Sequence, residues 1–250
     1  MGTDTNQWDV AYEALKDITF QGNERVLDLG CGSGKITANI AGRVPSGSVK
    51  GIDLSQGMID FAQNTYTPYH DNLIFIKENI LELNASSEFD LIFSSSSLHW
   101  ILDHEPLLAY VHKALKPGGS ILFTIPCTPL KEVATTIQDV TSQEPWNIYF
   151  KDYNHPRRKF IVEEYHQLLK HAGFDEIAVV QVPFTYYFET RREFADWFAA
   201  FSPMLLYIPK AKHEDFLTSI VERYLKTFPL GKDGQITFKQ NELIIKAVKR

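Results

Sequence analysis

Cysteine is scarce in this chain: 250 residues hold two, Cys31 and Cys127. Two are too few for a zinc cluster and fit a reducing compartment. No apolar run approaches the roughly 18 residues of a membrane span. Basic runs are short, Arg157-Arg158-Lys159 and Arg191-Arg192, in a chain of formal charge −6. Broad contact with a phosphate backbone needs clustered Lys and Arg, so nucleic acid is excluded as a main partner. Met1 to Asp9 is polar and acidic, unlike a signal peptide. Internal repeats and low-complexity tracts are missing as well. What is present is 44% hydrophobic and 22% charged residues, enough to bury a core without disulfide or metal staples. The expectation is a cytoplasmic protein without a membrane span, a single domain over 1–250, monomeric or homodimeric.

Between residues 25 and 125, strand-like and helix-like segments alternate. Arg25 to Leu29 is a short apolar run ending in glycines, followed by helical pattern from Ser33 to Arg43. Val49 to Asp53 reads as a second strand and Gln56 to Tyr66 as a helix. Leu73 to Ile76 and Phe89 to Ser94 are the next strands. Leu107, Leu108, Val111 and Leu115 mark one helix face that stops at Lys116-Pro117-Gly118-Gly119, before a fifth strand from Ser120 to Ile125. Such alternation implies right-handed βαβ units and a parallel sheet covered on both faces. After Pro126 the pattern changes. Helices are expected over Lys131 to Thr141 and Val162 to Ala172, then a strand from Glu176 to Phe188. Two more helices, Arg191 to Phe201 and His213 to Phe228, precede a last strand near Gln235 to Val248. Residues 189–230 thus read as a helical insert before the last strand, a cap over the loops at the sheet's edge.

The most informative stretch is Val26-Leu27-Asp28-Leu29-Gly30-Cys31-Gly32-Ser33-Gly34-Lys35. It follows a strand and opens a helix. Glycines there permit positive φ and close approach of a ligand to the backbone, and the helix N-terminus beyond suits an anion. Spacing separates the candidate ligands. A dinucleotide fingerprint would need a third glycine at position 35 or 37, where Lys35 and Thr37 stand. A P-loop would need a glycine five before Gly34 and Ser or Thr after Lys35, but Leu29 and Ile36 occupy those places. What remains is D-x-G-x-G-x-G with an acid, Asp53, at the end of the next strand. The plain alternative is a tight strand-to-helix turn with no ligand.

In these residues the chain resembles the class I S-adenosylmethionine (SAM) methyltransferases. The resemblance implies a doubly wound, seven-strand, mostly parallel α/β sheet of order 3-2-1-4-5-7-6, with strand seven antiparallel. It implies SAM as cofactor, held by Asp28, Gly30, Cys31, Gly32 and Gly34. Asp53 would take both ribose hydroxyls, and Leu54, Met58 and Ser94 would complete the site. Adenine contacts come in this family from a small-Asp-apolar triplet after strand three. Here the triplet is Glu78-Asn79-Ile80, so Asn79 replaces the aspartate, and its amide oxygen still accepts a hydrogen bond. Ile80 would offer its backbone N–H to the ring. Lys116-Pro117-Gly118-Gly119 is a further family turn.

The loop after strand four, Ser94-Ser95-Ser96-Ser97-Leu98-His99-Trp100, lacks the prolines that DNA and glutamine amino-methyltransferases carry there. Leu98-His99-Trp100 resembles instead the small-molecule branch that contains the trans-aconitate and juvenile hormone acid methyltransferases. Glu144-Pro145-Trp146, His171-Ala172-Gly173-Phe174, Tyr186-Tyr187-Phe188, Phe194-Ala195-Asp196-Trp197 and Ser202-Pro203-Met204-Leu205 extend the likeness. The resemblance implies a small-molecule carboxylic acid as partner. Trp100 would offer its indole N–H to that carboxylate, as would Gln7 from an N-terminal helix. A carboxylate is already ionised near neutral pH, so His99 is expected to wall the pocket rather than act as base. No metal is expected, since a carboxylate needs no Lewis acid and ligand spacing is missing. An arginine expected before the Pro-x-Leu turn is Ser202 here, beside Phe201, Met204, Leu205 and Leu206, which favours an apolar monocarboxylic acid over a tricarboxylate. Arg157, Arg158, Arg191 and Arg192 are the cations that would suit a polyacid. Methylation of an amine, phenol or carrier-bound acyl group stays open, as does a SAM-binding protein without catalysis.

Overall fold

The computed structural model describes residues 3–129, 131–153 and 158–250, with the side chains of 3–8, 128, 129, 131, 132 and 201 outside the description. The side chains of Gln7 and Phe201, and all of Arg157, therefore lie outside the described residues. The helices are α1 (Thr3–Leu15), α2 (Lys35–Arg43), α3 (Gln56–Tyr66), α4 (His104–Ala114), α5 (Lys131–Thr141), α6 (Asn147–Phe150), α7 (Val162–His171), α8 (Arg191–Phe201) and α9 (His213–Thr227). The strands are β1 (Arg25–Leu29), β2 (Ser48–Asp53), β3 (Leu73–Lys77), β4 (Phe89–Ser95), β5 (Leu115–Pro129), β6 (Asp175–Phe188) and β7 (Ile236–Val248). They form one sheet of order β3-β2-β1-β4-β5-β7-β6, the order the glycine-loop family implies.

Each adjacent pair from β3 to β5 is parallel. The end of β7 meets the beginning of β5: Gly118 N–H donates to Lys249 O at 2.7 Å and Lys249 N–H to Gly119 O at 2.8 Å. That pairing of end with beginning makes β7 run opposite to β5. One expectation shifts here. Lys116-Pro117-Gly118-Gly119 does not separate helix from strand but lies within β5. The pairing with β4 steps from Phe89↔Leu115 to Leu91↔Ser120. Gly118, at φ +80, supplies the left-handed residue of that irregularity, and Lys116 Nζ reaches Asp90 at 2.8 Å. The helix expected from Ser33 starts instead at Lys35. Gly32 and Gly34 take φ +53 and +82, which no right-handed helix admits.

By its packing the chain divides into two compact units. Residues 7–127, 158–182 and 242–250 form the sheet unit. Its faces carry separate cores. One joins Leu27, Leu29, Ile92 and Phe123 to α4 and α7 through Leu107, Leu108, Val111, Tyr165 and Leu169. The other joins Val26, Leu91 and Phe93 to α1, α2 and α3 through Ala14, Ile40, Ala41 and Ile59. β1 and β4, covered on both sides, therefore read as nearly continuous apolar runs rather than alternating ones.

Residues 3–6, 128–153 and 183–241 form the second unit. Val140, Trp146, Met204, Ile208, Phe216 and Ile220 build one of its clusters. Phe194 packs on Tyr224 and Trp197 on Phe238, each with ring centroids 4.8 Å apart. Arg223 pairs with Asp139, linking α9 to α5. Met204 and Trp197 are thus core residues of this unit, whereas Leu206 is exposed.

Candidate active site

Four strand ends of the parallel sheet open at one edge, and most of the residues singled out by the sequence sit at those ends or in the segments that leave them. Residues 30–34 leave β1, 53–55 leave β2, 78–80 leave β3 and 96–100 leave β4. Ligands of open α/β sheets bind at this carboxyl edge.

The first loop is tied down by its backbone. Gly30 and Cys31 donate their N–H groups to Ile52 O at 2.8 and 2.9 Å, and Gly34 donates to Cys31 O at 3.0 Å. Gly30 has no room for a side chain: a Cβ there would lie 1.8 Å from Ser97 Oγ. At Gly34 it would lie 2.6 Å from the Phe75 ring. Gly32 differs. Its φ is +53, yet among the described residues nothing lies within 4 Å of where its Cβ would point. Two glycines are therefore required by the protein's own packing, and the third faces a space that no described residue fills.

Asp28 lies under this loop, buried, with Thr37 Oγ1 donating to its Oδ2 at 2.7 Å. The bond ties β1 to α2 across the glycines. Burial raises the Asp28 carboxyl to about 7, with the Asp53 charge adding and the Thr37 hydroxyl opposing. Cys31 is pushed well above the ordinary thiol range by burial and by the charges of Asp28 and Asp53, so it stays a protonated thiol and is no nucleophile.

Asp53 ends β2. Its Oδ2 accepts the Gly32 N–H at 3.0 Å and its Oδ1 the Ser55 N–H at 2.8 Å. Two backbone bonds fix the carboxylate while each oxygen keeps acceptor capacity. Beside it, Leu54 and Met58 are 64% and 47% exposed, an apolar surface next to an anion. In the next loop Asn79 caps a short 3-10 turn: its Oδ1 accepts the Leu81 N–H at 3.1 Å and its Nδ2 donates to Glu82 at 3.0 Å. Lys50 pairs with Glu78 at 2.6 Å, and Ile80 is buried in the sheet's core. An open space above Gly32, a fixed carboxylate and an exposed apolar ledge fit the methionine, ribose and adenine parts of SAM respectively. Gly30, Gly32, Gly34, Asp53, Leu54, Met58 and Asn79 are the residues that could hold it.

The loop after β4 is built differently. Ser94 is buried and its hydroxyl donates to Leu29 O at 2.7 Å, so it joins β4 to β1. Ser95 Oγ and Thr124 Oγ1 are 2.8 Å apart. Ser96 takes φ +50, which turns the chain into the 3-10 segment Leu98–Trp100. His99 is 1% exposed and Trp100 44%, their rings tilted with centroids 5.1 Å apart. His99 thus backs the ring of Trp100.

Two of the arginines that would suit a polyacid are engaged within their own units. Arg158 pairs with Glu164 at 2.6 Å and donates to Leu102 O at 2.9 Å. Arg192 pairs with Asp196 at 2.9 Å and with Glu214 at 3.2 Å. The sequence reading missed Thr37, which only its distance to Asp28 reveals, and it missed His104. Ser97, which carries no role in the sequence reading, is what forces glycine at position 30.

Residues 26–119 match the family model described as a methyltransferase domain. Over 239 residues the chain is 26% identical to the trans-aconitate 2-methyltransferase of Escherichia coli O1:K1 / APEC, covering 95% of this chain and 91% of that protein. The YcgJ protein of Bacillus subtilis has a similar fold, with a TM-score of 0.64 at 17% identity and 99% of both chains covered. So does Haemonchus contortus phosphoethanolamine N-methyltransferase 2, solved with S-adenosyl-L-methionine. Its TM-score is 0.62 at 21% identity, over 97% of this chain and 52% of that one.

Proposed function

This chain is a class I SAM-dependent methyltransferase, and on that footing we propose that it methylates the carboxylate of a small organic acid. Bound SAM supplies an electrophilic methyl on a positively charged sulfur. The chain's own residues then have three tasks. The glycine loop and Asp53 bind and orient the cofactor, Asp53 by charge-assisted bonds to ribose hydroxyls. Trp100 donates its indole N–H to one carboxylate oxygen and so aims the other, while His99 walls the site behind the ring. Together they hold nucleophile and methyl in line, where proximity supplies most of the acceleration. No proton moves, because the acceptor is already an anion at neutral pH.

The observation that carries this reading is the Leu98–Trp100 segment: a half-exposed indole on a buried histidine, at the sheet edge beside the glycine loop. The 26% identity to a trans-aconitate 2-methyltransferase supports a small acid as acceptor. Arg158 and Arg192, already in ion pairs, favour one carboxylate over three. Ser202, where an arginine would suit a polyacid, points the same way. The reading takes 1–250 as one catalytic domain working in the cytoplasm, with the 189–230 insert part of the same enzyme. The fold alone does not choose the acceptor, since the fold is shared with an N-methyltransferase of phosphoethanolamine.

The experiment is a side-by-side measurement of kcat/KM for octanoate, an isoprenoid acid, trans-aconitate and phosphoethanolamine. Turnover of an apolar monocarboxylate above the other two is expected. Preference for trans-aconitate would overturn the monocarboxylate reading, and preference for the amine would overturn the carboxylate reading altogether.

A further inference from the structure

Residues 98–104 and 158–165 are distant in sequence but meet beneath the 3-10 segment that carries Trp100, all within the sheet unit. His104 opens α4 and is buried, with Asp103 capping the helix before it. Its Nε2 lies 3.0 Å from Leu98 O and its Nδ1 lies 3.0 Å from the Tyr165 hydroxyl. A carbonyl oxygen only accepts, so Nε2 carries the proton and donates to Leu98. Nδ1 is then an acceptor, and the Tyr165 O–H must donate to it. Burial lowers His104 to about 4, so the ring stays neutral and this one tautomer persists. Tyr165, fully buried, is pushed upward and keeps its proton. Phe160 packs against both rings, with centroids 4.3 Å from His104 and 5.0 Å from Tyr165.

The other end of the segment is held from the same side. The Arg158 backbone N–H donates to His99 O at 3.3 Å, and its Nη1 donates to Leu102 O at 2.9 Å. Glu164 fixes the guanidinium at 2.6 Å, and Phe160 stacks beneath it at 5.0 Å. The carbonyls of Leu98, His99 and Leu102 are each thereby fixed.

We propose that Tyr165, His104 and Arg158 form a clamp that sets the position of Trp100. They are positioning residues for the acceptor and touch neither substrate nor cofactor. The Tyr165 O–H fixes the His104 tautomer, His104 fixes Leu98, and Arg158 fixes His99 and Leu102. The inference rests on the reading of Leu98–Trp100 as the acceptor-binding segment, although the clamp itself can be tested without it.

The test uses the full chain with saturating SAM and the variants Tyr165→Phe, Arg158→Gln and Arg158→Lys. Arg158, partly exposed, serves as the second site should Tyr165→Phe fold poorly. Hydrogen exchange of peptides covering 98–102 should rise at least fivefold in Tyr165→Phe and Arg158→Gln, and less in Arg158→Lys, which keeps a cation. Peptides covering 25–35 should not change. With octanoate as probe, acceptor KM should rise about tenfold while the SAM KM stays within twofold. Unchanged exchange at 98–102 overturns the clamp, and so does a rise spread evenly over the core. Trp100→Phe separates the two ideas. If it leaves octanoate methylation intact, the acceptor reading falls, while the clamp still stands or falls on exchange.

Discussion

Two loops at the same edge of the sheet are built in opposite ways. The loop after β1 works with backbone. Its glycines take positive φ, its N–H groups meet Ile52 O, and no described residue crowds the side of Gly32 where a Cβ would point. The loop after β4 works with side chains, exposing Trp100 over a buried His99. Their supports differ in the same sense. The first is anchored by Asp28, Thr37 and Asp53, all within 26 residues. The second is anchored by residues from 158 to 165, more than fifty positions away. A loop held by its neighbours can be kept while the other half of the site is rebuilt. That separation suits an enzyme class with one methyl donor and many acceptors.

Gly30→Ala would strike where the two loops touch, and the largest loss is expected there. The substitution forces Ala to φ +73 and drives its Cβ against Ser97, at 1.8 Å in the present packing. Backbone strain of this kind costs about 1–3 kcal/mol before the clash is added. Chemical denaturation should show a destabilised fold, and calorimetry should show no SAM binding. An Ala variant of native stability and affinity would mean the loops are independent even at their contact.

This contrast also explains how much of the molecule could be read in advance. Strand order and cofactor class were legible because they rest on short segments at fixed spacing, and the same spacing singles out Gly30, Gly34 and Asp53 as positions at one edge of the sheet. Gly34 is needed against Phe75, and the sequence marks it by glycine alone. The turn Lys116-Pro117-Gly118-Gly119 was misplaced because its hydrogen bonds go to Lys249, far along the chain. Arg158 could be noted only as a cation that would suit a polyacid, since a sequence shows the charge and not its partner Glu164. His104, as an ordinary residue at a helix start, carries no local mark of its bond to Tyr165.

Asp28 sharpens the account of the first loop, because burial there has a pH signature. Its folded carboxyl stands near 7, above the roughly 3.9 of an unfolded aspartate. Between those values the folded protein keeps a proton that the unfolded chain has released. The associated stability is fully present below about pH 4 and is lost as pH rises through 7. Relative to Asp28→Asn, the wild type should therefore lose stability between pH 4 and 7, on the order of a few kcal/mol. Urea midpoints of both proteins across that range provide the check. A constant difference would mean that Asp28 is ionised throughout.

Asp53→Ala comes next in size and addresses the ligand rather than the fold. The variant removes an exposed-edge carboxylate that accepts from Gly32 and Ser55. With Asp53 holding the ribose as proposed, it also removes two charge-assisted bonds to that sugar. The expected loss is about 2–4 kcal/mol of SAM affinity. Asp53→Asn should recover part of this, since an amide oxygen still accepts one backbone bond. Equal affinity in wild type and Asp53→Ala, measured by titration calorimetry, would remove Asp53 from the cofactor site.

Trp100→Phe gives the smallest effect and tests the second loop alone. The ring would still pack against His99, with the N–H gone. Loss of one hydrogen bond to an anion is worth about 1.5–3 kcal/mol when it is well made. The ring is half in solvent, so the lower end applies, which is roughly a tenfold fall in kcat/KM for the acid. SAM affinity should not move, because Trp100 is not among the residues assigned to the cofactor. If SAM binding weakens as much as turnover does, the two loops form one coupled site. If neither changes, Trp100 is only a wall, and the acceptor is oriented by another group.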